Sequence, residues 1–197
     1  MNKDVKIRIA TPQDGAALAQ IYAPYVMQTA ITFSNTAPTA QQFSEQISQT
    51  LCTHPFLVAE QNGTPIGYAY AAPLRQREAY QWSVETSIYI RQDCKQSGLG
   101  RLLYHTLEHL LAAQGICSLY ACIATSADAQ DPYLTPASIH FHERMGYRQV
   151  GTFTNCGSKF GRWYGVIWME KSIAPHQPSP TPTIPFPQLP PTVLHTL

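Results

Sequence analysis

The chain opens on an alternation of apolar and polar side chains over 5–10, with Val5, Ile7 and Ile9 set against Lys6 and Arg8, the period-two mark of a half-buried strand. Thr11-Pro12-Gln13-Asp14 then puts a capping hydroxyl, a first-turn proline and an acid ahead of an apolar run, predicting a helix near 14–24. Thr39 caps a second helical stretch in which Phe43, Ile47 and Leu51 recur at a helical interval. Segments 56–60 and 65–70 are strand-like and flank Asn62-Gly63, the signature of a tight antiparallel hairpin. Over 82–91, Val84, Thr86, Ile88 and Ile90 share one face, while Glu85, the segment's sole carboxylate, takes the other with Ser87 and Tyr89. Positions 99, 102, 103, 107, 110 and 111 keep the helical period until Gly115 stops it. A strand over 118–124, a helix over 136–145 closed by Gly146 and a terminal strand pair complete the order βααβββαβαββ, an α/β (α+β) fold.

After Lys171 the pattern ends. Residues 174–197 hold eight of the sixteen prolines and few apolar side chains, a composition of polyproline II or disorder. The expected division is a catalytic domain over 1–173 and a flexible proline-rich tail, which is either weakly constrained or a docking segment lying across a partner subunit. A length of 197 residues suits one core. A net charge of +1 with 13% charged residues supplies no field to hold a phosphate backbone or an anionic membrane, so neither is an expected partner. No stretch approaches the roughly 20 apolar residues of a membrane span, and a cytoplasmic location is expected. Five cysteines without a C-x-x-C pair point to reduced thiols.

Candidate chemistry centres on Lys95-Gln96-Ser97-Gly98-Leu99-Gly100-Arg101, between a strand and the strongest helix. Glycines there let a ligand approach backbone amides, and the unpaired N–H groups of a helix N-terminus attract phosphate. No G-K-[ST] follows, and the surroundings of G-x-G-x-x-G in a dinucleotide fold are missing, so coenzyme A is the phosphate ligand to consider.

This arrangement resembles the acetyl-coenzyme A motif of the GNAT acetyltransferases. The run 79–90 (AYQWSVETSIYI), the run 138–147 (SIHFHERMGY) and the run 159–164 (KFGRWY) resemble the phosphinothricin acetyltransferase-like branch, a resemblance that extends over nearly all of 4–173. The resemblance implies a strongly twisted mixed sheet whose two central strands splay around acetyl-CoA. It further implies backbone contacts to the pantetheine arm from Ile88, Tyr89 and Ile90, and a pyrophosphate cradle at Lys95, Gln96, Ser97, Gly98, Leu99, Gly100 and Arg101. Four departures stand out. Lys95 replaces a glutamine or arginine, Thr135 stands where an asparagine contacts cofactor, 127–134 looks inserted, and Ser158 and Gly165 replace tyrosine and aspartate.

Acetyl transfer to an amine needs a base for the amine, a polarised carbonyl and a proton for the thiolate. Glu85 fits the base, against the plainer reading of a solvated or ion-paired carboxylate. A backbone N–H near Ile90 fits the carbonyl, and His142 is either the proton donor or a packed helix histidine. Phe33, Arg75, Arg77, Tyr80 and Trp82 are expected to form an aromatic and cationic acceptor pocket suited to a carboxylate. The histidine pairs 105/109 and 140/142 lack a completing ligand at zinc spacing, so no metal is expected. The expected acceptor is a small amino-acid-like amine. The other readings are a protein N-terminal or longer-chain acyltransferase and a non-catalytic acetyl-CoA sensing module. A homodimer is expected from the resembling branch.

Overall fold

The computed structural model describes residues 5–95 and 98–194. Seven strands, β1 (Val5–Ile9), β2 (Phe56–Gln61), β3 (Thr64–Pro73), β4 (Ser83–Ile90), β5 (Ser118–Thr125), β6 (Arg148–Lys159) and β7 (Arg162–Ser172), form one sheet in the order β1-β2-β3-β4-β5-β7-β6. Four helices, α1 (Gly15–Gln28), α2 (Ala40–Leu51), α3 (Leu99–Ala113) and α4 (Ala137–Arg144), accompany it, with one further turn, α5 (Pro191–Leu194), near the C-terminus. All neighbouring strands are antiparallel except β4 and β5.

Local chemistry sets the boundaries. The Thr39 hydroxyl accepts from the Gln42 N–H while the Gln42 side chain accepts from the Thr39 N–H, a reciprocal cap that starts α2. Asn62 and Gly63 both take positive φ, 51° and 76°, which matches the twist of the β2–β3 hairpin. Helix α1 continues past the expected stop near 24 to Gln28, with Pro24 inside it. Proline removes the N–H that would bond the Gln20 carbonyl, but Gln20 is exposed to water, and burial of Ile21, Tyr25 and Val26 holds the surrounding turns.

Two apolar layers cover the sheet. On one face Leu103, Leu107, Leu110 and Leu111 of α3 pack on Leu119, Ala121 and Ile123 of β5. On the other, Leu18 and Ile21 of α1 and Phe43 and Ile47 of α2 pack on Phe56, Val58 and Tyr68. The alternation along β4 is realised: Val84 and Thr86 are buried and Ile88 and Ile90 join the α3 layer, whereas Tyr89 packs in the α1–α2 layer.

The tail expectation is corrected over 174–194. Phe186 and Leu189 are buried in the α3 layer, 6% and 5% exposed. Backbone bonds tie the segment down, from Ile184 N–H to the Gln114 carbonyl (2.9 Å) and from Phe186 N–H to the Thr53 carbonyl (3.1 Å), and the Trp82 indole N–H reaches the Thr181 carbonyl (2.8 Å). Proline content limits regular structure here to short turns, Phe186–Gln188 and Pro191–Leu194. It does not forbid an extended strap, because two apolar anchors contribute about 1.5–3 kcal/mol each and prolines lower the entropy lost on ordering.

Candidate active site

The site is made where the sheet comes apart. Strands β4 and β5 pair at three positions, Ser83 with Ser118, Val84 with Leu119 and Glu85 with Tyr120, after which their ladder ends although both strands continue. The parting strands expose unpaired backbone groups to a cleft of about 60 Å³ lined by 86–89 and 121–124, with Leu134, Ser138, Tyr104 and His142 at its walls. Ile88 and Tyr89, expected to meet a pantetheine arm, therefore lie on the cleft.

The expected phosphate cradle falls at the start of α3. Gly98 caps the helix with φ 81°, and a Cβ built on it would meet nothing within 4 Å, so its backbone faces open space. That conformation is why glycine stands there. Gly100 has a different reason: a Cβ would stand 3.0 Å from the Phe141 ring and 3.4 Å from Ile90, so it is small to let α4 and β4 approach. Leu99 is buried, Arg101 is exposed, and the Lys95 ammonium lies 4.8 Å from the Tyr25 ring centroid, where burial holds its pKa below the usual lysine value. Gln96 and Ser97 lie outside the described residues. Thr135 is exposed beside Leu134, one residue before the Pro136 cap of α4. At Ile90 the carbonyl accepts from the Tyr25 hydroxyl at 2.5 Å, and the N–H points at the same oxygen at 3.4 Å. The expected carbonyl-polarising amide is thus partnered by Tyr25.

Glu85 sits at the last paired position of the β4–β5 ladder, half-buried, with its carboxyl pKa raised by burial and partly offset by the Arg75 charge. Its charge also contributes to the Cys122 thiol, which burial pushes up to about 11. On the other face of β4, Thr86 joins a buried chain of hydroxyls. The Ser138 carbonyl can only accept, so His142 carries its proton on Nδ1 (2.8 Å), and Nε2 accepts from the Tyr104 hydroxyl (3.0 Å). Thr86 in turn donates to the Tyr120 carbonyl (3.2 Å) and faces the Tyr147 hydroxyl (3.2 Å).

This geometry revises the part given to His142. Its single N–H is committed to a carbonyl, and burial pushes its pKa down to about 4, so near neutrality it holds no proton to give. The mobile proton of the pair belongs to Tyr104, whose pKa is raised by burial. Tyr104 was absent from the expected site. A hydroxyl among the helical leucines, requiring a partner once buried, is the signal that marks it.

Of the five residues expected around the acceptor, Arg75, Arg77 and Tyr80 share one cavity and Phe33 and Trp82 stand apart from it. The Phe33 ring packs so tightly on β6 that a Cβ at Gly157 would stand 2.4 Å from it, and its centroid lies 6.3 Å from that of Tyr164. Arg75 places its guanidinium 5.9 Å from the Trp168 ring centroid and acts electrostatically on Glu85. Arg75, Arg77 and Tyr80 line one cavity with Thr183, Ile184 and Pro185, and Trp82 holds the tail. In their place the Glu85 face carries a cavity of about 340 Å³ lined by Tyr22, Phe43, Gln46, Tyr68, Tyr70 and Tyr89, and the Glu85 charge acts on Tyr70. Period-two tyrosines at 68 and 70, with Tyr89 paired to Tyr68, were its trace in the sequence.

The stretch 127–134 is pinned. Asp131 is buried and accepts from the Tyr164 hydroxyl (3.2 Å) and the Tyr133 N–H (2.9 Å), while Arg162 bonds Asp128 (3.1 Å). Gly165 lies against the β6 bulge, where a Cβ would stand 2.6 Å from the Phe153 carbonyl, so an aspartate has no room there. Among the described residues no group of three or more His, Cys, Asp or Glu side chains could hold a metal, and no helix is long and apolar enough to cross a membrane.

Residues 7–168 match the family profile described as "Acetyltransferase (GNAT) domain". A phosphinothricin N-acetyltransferase of Streptomyces viridochromogenes is 34% identical over 179 residues, 90% of this chain and 93% of the relative. An L-methionine sulfoximine/L-methionine sulfone acetyltransferase of Salmonella typhimurium is 30% identical, over 86% of this chain and 95% of its own. The crystal structure of a phosphinothricin acetyltransferase from Sinorhizobium meliloti in complex with AcCoA superposes with a TM-score of 0.79 at 26% identity, covering 93% of this chain and 98% of that one. With the splayed sheet and glycine-started helix in place, these likenesses establish that the chain belongs to the GNAT acetyltransferase family, as an N-acetyltransferase of the phosphinothricin and methionine sulfoximine type.

Proposed function

We propose that the chain moves the acetyl group of acetyl-CoA directly to the amine of a small amino-acid-like acceptor, of the phosphinothricin or methionine sulfone and sulfoximine kind. The carrying observation is Glu85, a half-buried carboxylate of raised pKa at the point where β4 and β5 part. The residues fit the donor: 88 and 89 offer strand backbone along the cleft, and Gly98 presents the start of α3 to open space, as a pyrophosphate requires. Acetyl-CoA supplies the activated acyl thioester. Glu85 removes the amine proton, directly or through water, with Arg75 beside it to receive an acceptor carboxylate. Tyr104, held by His142, is the group on the cleft with a proton for the departing sulfur.

Thiol release from acetyl-CoA against phosphinothricin, methionine sulfone, methionine sulfoximine and the amino acids tests this reading. Turnover on at least one amine, reduced by about 10²–10⁴ in Glu85→Gln, is expected. Tight acetyl-CoA binding with no turnover on any of them would shift the assignment to a protein N-terminal acceptor or a sensing module. The homodimer of the expectation is supported by Trp163 and Phe153 of the β6–β7 hairpin, which are 65% and 58% exposed. Light scattering should give twice the chain mass, and the chain mass for Trp163→Ser.

A further inference from the structure

One charge outside the cleft stands where it opposes folding. Lys159, the last residue of β6, is 5% exposed and is the only buried lysine or arginine among the described residues. Its ammonium donates to the Thr32 carbonyl (2.7 Å) and lies 5.2 Å from the Phe160 ring centroid, and burial holds its pKa below the usual lysine value. Among the described residues no carboxylate pairs with it. Asp128 and Asp131, on the stretch whose Tyr133 stacks on Phe160, bond Arg162 instead. A buried cation with one carbonyl partner is destabilising, and an apolar side chain of similar length would fill its place without that penalty.

What Lys159 holds is the wall of the cavity on the Glu85 face. Thr32 lies between α1 and α2, and Ser34, Thr36, Ala37 and Pro38 just beyond it line that cavity. The Thr32 hydroxyl shares a hydrogen bond with the Tyr22 hydroxyl (2.7 Å), and Tyr22 lines the same space. The post from which Lys159 reaches is rigid. Phe160 and Gly161 take positive φ, 52° and 71°, as a two-residue hairpin turn requires, and the Phe33 ring is seated on Gly157. Upstream, the Ala30 N–H is bonded separately to the Tyr133 carbonyl (2.9 Å), so Ile31, which lines the donor cleft, is held without Lys159. We infer that Lys159 is a positioning residue for the acceptor: it fixes the 32–38 wall and the Tyr22 hydroxyl, and leaves the donor side untouched. The inference rests on the proposed transfer to a small amine.

Lys159→Met separates this from a merely structural role. Thr32 is only half-buried, so water can take up its carbonyl, and the melting temperature should hold or rise. The KM of the amine turned over best should rise about tenfold, the loss of one charge-assisted bond, with kcat and the acetyl-CoA KM unchanged. Lys159→Arg keeps a charged donor and should return most of that KM. Amide hydrogen exchange of the ligand-free chain needs no turnover, and 32–37 should exchange about tenfold faster in Lys159→Met. If the wild type turns over no amine, the transfer reading falls and the exchange alone decides whether Lys159 holds the wall. Unchanged exchange over 32–37, an unchanged acceptor KM, or acceptor and donor KM raised alike with a lowered melting temperature overturns the assignment.

Discussion

At residue scale the site is an exercise in placing protons. The Glu85 pKa is raised by burial, so the carboxylate that the proposed base catalysis uses is lost as pH falls through a value above that of an ordinary glutamate. The rate should fall on the acid side through that value, and Glu85→Gln should remove the limb from what activity remains, as a pH profile of thiol release would read. His142 titrates the other way. Its folded pKa of about 4 lies below the unfolded value of about 6.5, so the unfolded chain binds more protons between them. Stability is full above about 6.5 and falls by about 3 kcal/mol as pH drops toward 4. Melting curves from pH 7.5 to 4.5 should show this slope for the wild type and a shallower one for His142→Phe. A melting temperature equally steep in both would place the acid sensitivity elsewhere. Glu85 was legible in the sequence because one carboxylate stood on an otherwise uncharged strand. The state of His142 was not, since its partners Tyr104 and Ser138 lie 38 and 4 residues away and the former acts only through packing.

At the scale of elements, the glycine-rich start of α3 shows how one motif answers two demands. Gly98 is required by its φ of 81°, and Gly100 by the Phe141 ring. Gly98→Ala places no atom against a neighbour, so its cost is conformational, about 1–2 kcal/mol, and should appear as a lower melting temperature together with weaker acetyl-CoA binding. An unchanged melting temperature would mean that α3 starts differently. Element order and the β4 faces could be read from periodicity because each strand is half-buried and each helix has one apolar stripe. The continuation of α1 through Pro24 could not, since what overrides the proline is burial of Ile21, Tyr25 and Val26 against other segments. The acceptor pocket was misread for a related reason. Arg77, Tyr80 and Trp82 sit close to Glu85 in sequence, but the chain turns between Pro73 and Ser83 and directs them toward the strap.

For the whole molecule, the proline-rich composition predicted a segment that does not pack, whereas over 174–194 the chain packs and makes only short helical turns, Phe186–Gln188 and Pro191–Leu194. Phe186 and Leu189 are two apolar residues in a proline-rich stretch, too few to show as a pattern, yet each finds a buried place. The larger consequence comes from the short β4–β5 ladder. Two half-sheets, β1–β4 held between α1–α2 on one face and α3 on the other, and β5–β7–β6, share a seam three residue pairs long, and β4 and β5 beyond it leave their facing edges unpaired. A donor molecule lying along those edges, as proposed, would fill the gap as a removable rung, and its binding would then add to the stability of the fold. Acetyl-CoA at a hundred times its dissociation constant adds about 2.7 kcal/mol to the folded state. The melting temperature should therefore climb with the logarithm of donor concentration, and a melting temperature that acetyl-CoA leaves unchanged would mean that the parted edges do not hold the donor.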